Sequence, residues 1–275
     1  MKPAEFSYTR AVTLSDALGS FASSTLGRVI AGGQSLGPML NLRLAEPREL
    51  IDVSRLVELR HTRIEGDRLA IGACVTHAEI EDGKIPDVTV GLMPFVASGI
   101  AYRAVRNRGT IGGSIAHADP AADWLTTTIA LDASLLLSGA AGQREVRVSD
   151  FVRGALDTAI GEGEIITYVL VPRLSSAACW GHAKYAKKPG DFAQSMAVAV
   201  VDPERRGARI VLGQRAEPPR LMCNTSELLA ARGCAPPPPD LGAAIEADLT
   251  DAQIEVGDRS MHRAIVARAV QDLAA

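Results

Sequence analysis

Two Gly-Gly pairs constrain this chain more than any other feature. Gly32-Gly33 follows the apolar run Val29-Ile30-Ala31, and Gly112-Gly113 follows a basic stretch containing Arg103, Arg106 and Arg108. Without a Cβ, glycine lets backbone N–H groups converge on one locus and lets a ligand or another backbone come close. Hydrogen bonds from such donors to a charged oxygen contribute about 1.5–3 kcal/mol each, so two turns acting together hold a pyrophosphate without any lysine. Ser35, Thr110 and Ser114 stand beside the glycines as hydroxyl donors, and a side chain at Gly112 or Gly113 is expected to intrude on the ligand. Neither turn fits G-x-G-x-x-G or G-x-x-x-x-G-K-[ST], which sets aside the Rossmann and P-loop phosphate sites.

A competing pattern overlaps the first turn. Gly33-Gln34-Ser35-Leu36-Gly37 fits G-x-S-x-G, the elbow that presents a nucleophilic serine in many hydrolases. That elbow stands after several strands of a central sheet, whereas only about two strand candidates precede Ser35. Position therefore disfavours Ser35 as a nucleophile and favours it as one donor in an anion cradle. His117, Asp119 and Asp123 lie close in sequence, but no second histidine sits at helical spacing to them, so a polar turn opening a helix at Asp119-Pro120 is the better account.

The chain is 275 residues long, which allows one large core or two modest ones. Its net charge of −3 gives no basis for nucleic acid or an acidic membrane as partner. The longest apolar run, Val88 to Ala101, contains Pro94 and two glycines and falls short of the ~20 residues that a membrane span needs. With no basic start followed by an apolar core at the N-terminus, a cytoplasmic protein is expected. Cys74, Cys179, Cys223 and Cys234 form no C-x-x-C pair and are expected as separate thiols in a reducing compartment, not as zinc or iron–sulfur ligands.

The apolar pattern predicts three blocks. Phe6-Ser7-Tyr8, a helix capped by Thr13 or Ser15, a buried strand Val29-Ile30-Ala31 and a strand Leu50-Ile51-Asp52-Val53 make a small parallel β-α-β unit. A hairpin around Gly66-Asp67, a helical stretch from about Val88 to Arg106, a helix Ala121 to Leu131 and strands at Ser134–Leu137, Glu145–Val148 and Glu164–Val171 follow. A last block has a hairpin turning at Asp202–Gly207, a helix capped by Thr225 or Ser226, one near Leu241–Leu249 and one from about Ser260, with Ala235 and four prolines as a stiff connector. His61, His77 and His262 are expected at the surface or satisfied in the core, and Trp124 and Trp180 as packing residues.

Ala31-Gly32-Gly33-Gln34-Ser35-Leu36 with Pro38, Asn41, Arg43 and Leu44, followed by Leu50-Ile51-Asp52, resembles the first FAD loop of the molybdenum hydroxylase flavoprotein subunits. Arg106-Asn107-Arg108-Gly109-Thr110-Ile111-Gly112-Gly113-Ser114, running on through His117-Ala118-Asp119-Pro120-Ala121-Ala122-Asp123, resembles the second. These are the medium subunits of the xanthine dehydrogenase and carbon monoxide dehydrogenase family. The resemblance implies an α+β fold: a two-part FAD-binding PCMH-type domain over 1–173 (subdomains about 1–55 and 56–173), then a domain over 174–275 with a short antiparallel sheet and a three-helix bundle. It also implies that Ala31 to Leu36 and Gly109 to Ser114 wrap the FAD pyrophosphate. Asp123 then lies near the sugar and adenine end, Ile166 against the flavin ring, and Lys184 near the isoalloxazine, with Asp191-Phe192-Ala193 behind it. The chain departs from the family pattern at His182, where an aromatic residue is common, at Lys187-Lys188, and after Leu212, where extra glycines are usual.

The expected role is the FAD-bearing medium subunit of a heterotrimeric molybdenum hydroxylase. A large subunit would hold the molybdenum cofactor, a small one two [2Fe–2S] clusters, and the assembly would be a dimer of heterotrimers that passes electrons from FAD to an external acceptor. A stand-alone FAD-dependent oxidoreductase of the same superfamily is the alternative, and a subunit that has lost its cofactor fits the intact glycine turns less well.

Overall fold

In a computed structural model, which describes residues 2–205 and 207–274, the chain forms three sheet-based units in sequence order. The first contains β1 (Ser7–Arg10), α1 (Leu14–Ser23), β2 (Gly27–Ile30), α2 (Leu36–Asn41) and β3 (Glu49–Asp52), with the strands in order β1-β3-β2 and all parallel. Thr13 starts α1 through a capping box. Its hydroxyl accepts from the Asp16 N–H, and the Asp16 carboxylate accepts from the Thr13 N–H. Ala17 of α1 is buried with Ile51 and Val53, and Leu14, Leu18 and Phe21 pack beside them. Because β3 takes the middle of this sheet, β2 is an edge strand and is half-buried, not buried as expected.

The second unit opens with the hairpin β4 (Thr62–Glu65) and β5 (Arg68–Gly72), turned at Gly66 with φ +60°. Five helices follow: α3 (His77–Glu81), α4 (Leu92–Ser98), α5 (Arg103–Arg106), α6 (Ile111–His117) and α7 (Asp123–Ala130). Then come β6 (Ser134–Gly139), β7 (Gly142–Arg147), the short α8 (Val148–Phe151), β8 (Val152–Gly154), β9 (Asp157–Thr158) and β10 (Ile165–Pro172). The main sheet has the order β4-β5-β10-β6-β7 and is antiparallel throughout. Leu69, Ile71, Leu135, Leu137 and Val169 from this sheet share one core with Ile111, Ile115, Trp124, Leu125 and Ile129 from α6 and α7.

The helix expected from about Val88 to Arg106 is broken into α4 and α5. Ala101 has φ +43°, its N–H donates to the Gly190 carbonyl, and the Arg106 guanidinium takes the carbonyls of Ile100 and Ala101, each at 3.0 Å. The groups that would continue the helical ladder are thus bonded elsewhere.

The third unit is an antiparallel sheet of β11 (Cys179–Tyr185), β12 (Ser195–Asp202), β13 (Gly207–Gln214) and β14 (Arg220–Leu221), followed by α9 (Cys223–Ala230), α10 (Leu241–Asp251) and α11 (Val256–Gln271). Ala197, Ala199, Ile210 and Leu212 point from one face of the sheet into a core with Leu229, Ile245, Leu249, Val266 and Val270 of the three helices. From the opposite face, Val198, Val200 and Val211 join the core of the second unit. The alternation along each strand therefore makes this sheet a shared wall between two cores.

Two expectations are corrected here. Thr225 and Ser226 lie inside α9, whose first turn is capped from α10: the Asp248 carboxylate accepts from the N–H groups of Asn224 and Thr225, both at 2.9 Å, and from both their side chains. The cysteines are not all separate thiols. Cys179 and Cys234 form a disulfide with Cα atoms 6.0 Å apart, because the connector after α9 folds back onto the first residue of β11. Cys74, buried, and Cys223, exposed, remain free.

Candidate cofactor site

The two glycine turns meet. A Cβ at Gly32 would overlap the Arg108 carbonyl oxygen and lie 3.0 Å from the Gly109 Cα, so Gly32 is seated directly on the backbone of the second turn. Gly33 has φ +71°, a conformation that L side chains resist, and this turn carries the chain from the end of β2 into α2. Since β2 is one of three parallel strands, the first turn lies at the carboxyl edge of that sheet, the usual edge for a bound nucleotide in parallel α/β units.

The donors available in the two turns differ. In the first, the Gly37 N–H bonds to the Gly33 carbonyl and the Met39 N–H to the Ser35 carbonyl. The N–H groups of Gln34, Ser35 and Leu36 precede the point where an intrahelical acceptor exists, and the Ser35 side chain makes no capping bond. Ser35 therefore stands at the head of α2 with its hydroxyl not engaged in capping the helix. In the second turn the glycines belong to the first turn of α6. There, Ile111 N–H goes to the Val75 carbonyl, Gly112 N–H to Ala73, Gly113 N–H to the Thr110 hydroxyl and Ser114 N–H to the Thr110 carbonyl. Most main-chain donors of this turn are thus engaged within the protein. What it can offer a ligand is the Thr110 N–H, the Ser114 hydroxyl and the exposed surface at Gly113.

This corrects the expectation for Gly112. A Cβ there would lie 2.8 Å from the Ala73 Cα and carbonyl oxygen, so the missing side chain serves the packing of α6 on the residue after β5, not the approach of a ligand. At Gly113 a Cβ would lie 2.7 Å from the Thr110 hydroxyl that caps the helix.

His77 stands behind the second turn. Its N–H donates to the Gly109 carbonyl at 2.9 Å, its Nδ1 accepts from the Trp124 indole at 3.0 Å, and a Cβ at Gly109 would lie 2.8 Å from its Nε2. Burial, and then Arg106, push the imidazole down to about 4, so it is neutral and carries its proton on Nε2. His77 thus holds the glycine turn through its main chain and α7 through its side chain. The signal in the sequence is Thr76-His77-Ala78-Glu79, a capping box in which the Thr76 hydroxyl and Glu79 carboxylate satisfy each other's backbone.

One residue before Trp124, Asp123 is nearly sealed from solvent and pairs with Lys184 of β11, Nζ to Oδ1 2.8 Å and to Oδ2 3.1 Å. Burial raises the carboxyl above its ordinary range, opposed by the lysine. The resemblance separates these two residues, one toward the adenine end and one toward the flavin ring. In the structure the two meet as one ion pair. Ile166 lies on β10 beside a β-bulge, only 5% exposed and within the main core.

Lys184, His182 and Trp180 alternate along β11 and face the second unit. The Trp180 indole donates to the Val90 carbonyl at 2.7 Å, and Phe95, half exposed, packs on both Trp180 and His182 at ring-centroid distances of 5.2 and 5.4 Å. Burial, and then Lys184, hold His182 down at about 4. Arg103 and Arg106 are tied to α3 through Glu81 and Asp82, with contacts of 2.6–2.8 Å, and Arg108 is exposed. Asp119 closes the expected polar turn by accepting from the Ala121 N–H.

The two glycine turns thus interlock at the carboxyl edge of a parallel sheet. The chain belongs to the family described as FAD binding domain in molybdopterin dehydrogenase, which residues 4–174 match. It is similar to the glyceraldehyde dehydrogenase medium chain of Sulfolobus acidocaldarius, 39% identical over 201 residues, covering 73% of this chain and 71% of the relative. It is also similar to the caffeine dehydrogenase subunit beta of Pseudomonas sp. (strain CBB1), 34% identical over 224 residues and covering 80% and 76%. Among solved structures, carbon monoxide dehydrogenase from Hydrogenophaga pseudoflava superposes with a TM-score of 0.89 at 30% identity, over 99% of this chain and 98% of that one. Quinoline 2-oxidoreductase from Pseudomonas putida 86 gives 0.87 at 32% identity, over 100% and 98%. The chain is accordingly a medium, FAD-binding component of the molybdenum hydroxylase type of dehydrogenase. No helix among the described residues is long and apolar enough to cross a membrane.

Proposed function

We propose that this chain holds FAD for a three-component molybdenum hydroxylase. In this reading it takes electrons from the [2Fe–2S] clusters of a small subunit, while a large subunit with the molybdenum cofactor oxidises the substrate. The flavin then delivers them to an external acceptor. The observation that carries the reading is the seating of Gly32 on Arg108-Gly109, which makes one locus from two turns that are otherwise unrelated in sequence. Ala31 to Leu36 supply main-chain donors to the FAD diphosphate, and Gly109, Thr110, Ile111, Gly112, Gly113 and Ser114 form the opposing wall with fewer. Asp123 and Lys184 act together as one polar contact, and Ile166 supports the site from the core. Bound FAD supplies the one- and two-electron redox chemistry of the site, and the protein binds and orients it.

The same reading divides the chain at 173/174, supported by a family match that ends at residue 174, and places the complex in the cytoplasm as a dimer of heterotrimers. Medium chains and subunits of dehydrogenases among the relatives support the partners. Affinity purification of the tagged chain from its native host tests it. The expected result is co-purification of two further polypeptides carrying molybdenum and iron, with one FAD per medium chain. A chain that purifies alone, loads FAD and reduces it with its own substrate would overturn the three-component assembly.

A further inference from the structure

We propose that Cys179 and Cys234 are a reversible thiol–disulfide pair, a redox modification site that fastens the connector between α9 and α10 to the edge strand β11. The two residues are 55 apart in sequence, and their Cα separation of 6.0 Å falls within the range that a disulfide bridges. Both are partly exposed, whereas the other two cysteines lack partners. Cys179 lies on the outer strand of its sheet, and Cys234 lies between Gly233, with φ +64°, and the run Pro236 to Pro239. Opening the bond frees the connector but leaves Leu229 and Ile245 in the core on either side of it. Both cysteines sit at the rim of that core, packed against it yet partly open to solvent, and solvent-reachable disulfides are the labile kind, in contrast to sealed structural ones.

The bond closes a loop containing the whole third sheet and α9. Its first residue is on the strand that carries Lys184, and α11 packs on the same strand at Gly181, where a Cβ would overlap the Ala269 carbonyl oxygen. Closure therefore fastens the α9–α10 connector to the strand on which α11 and the Asp123–Lys184 pair both rest. With a low-molecular-weight disulfide as oxidant, the thiolate of one cysteine attacks it and expels one thiolate. The second cysteine then attacks the mixed disulfide and expels the other. The chain loses two electrons and two protons, and the oxidant becomes two thiols.

The FAD-loaded protein, incubated with oxidised glutathione or with dithiothreitol, is quenched with N-ethylmaleimide, unfolded and cut with trypsin. Cleavage after Arg173, Lys184, Arg232 and Arg259 releases peptides 174–184 and 233–259. The expected result is one linked species of the two after oxidation, its replacement by the two alkylated peptides after dithiothreitol, and its absence from Cys234→Ser. Limited trypsin treatment of the native protein should cut after Arg232 several-fold more slowly in the oxidised form, with flavin absorbance unchanged. No linked species after excess oxidised glutathione would overturn the pair. A linked species that survives native dithiothreitol would overturn its reversibility.

Discussion

A methyl group at Gly32 would meet the Arg108 carbonyl oxygen, and one at Gly112 would meet the backbone of Ala73. The first contact lies between the two turns and the second lies between α6 and the chain after β5, so equal substitutions have unequal effects. Gly32→Ala is expected to weaken FAD binding at least ~100-fold with far-ultraviolet circular dichroism retained, since it separates the turns without opening the core. Gly112→Ala is expected to cost about 1–3 kcal/mol of stability, as overpacking does. Flavin fluorescence titration together with urea unfolding distinguishes them, and equal loss of affinity at equal stability would contradict the assignment. Lys184→Met leaves the Asp123 carboxylate buried without its cation, a change that costs about 3–5 kcal/mol in sealed pairs. Adding Asp123→Asn should recover most of it in urea unfolding, and a double variant no more stable than Lys184→Met would mean that the pair is not coupled.

Among the elements, α9 depends most on a residue outside itself. Asp248 receives two backbone and two side-chain donors from Asn224 and Thr225. Asp248→Ala removes that cap and is expected to destabilise the chain by about 1–2 kcal/mol, with a Tm about 2–6 °C lower in calorimetry. A change below half a degree would mean that the first turn of α9 is held by packing alone. This helix also shows where the sequence stops being legible. Local pattern was enough for the strands and helix of the β-α-β unit, for both hairpins and for a helix start at Thr13 or Ser15, because each of these elements is marked by residues close in sequence. The origin of the α9 cap, the break after Ser98 and the half-burial of β2 were not legible. They depend on Asp248, Gly190 and β3, which are remote in sequence but adjacent in space. At the site, the glycine turns were legible as a pair. Their unequal supply of donors was not, since it depends on Val75 and Ala73 as acceptors.

For the whole molecule, the buried histidines set a dependence on pH. His77 and His182 are each held at about 4 against an ordinary 6.5, chiefly by burial. Folded, they stay neutral where the unfolded chain would protonate. Their contribution is thus fully present above pH 6.5 and declines as pH falls from 6.5 toward 4, by up to roughly 3 kcal/mol per histidine. Urea midpoints at pH 7, 5.5 and 4.5 should fall in that order, and His77→Gln should flatten the decline while keeping an acceptor for the Trp124 indole. A midpoint that does not move across this range would show that both imidazoles protonate in place.

The contact of Gly32 with Arg108 also has a kinetic meaning. Its partners are about 76 positions apart along the chain, so it closes only after two separately formed pieces find each other, and such long-range closures come late in folding. In refolding with FAD present, uptake of the cofactor should lag behind the far-ultraviolet signal. The flavin would then serve as a natural clock for the last docking event.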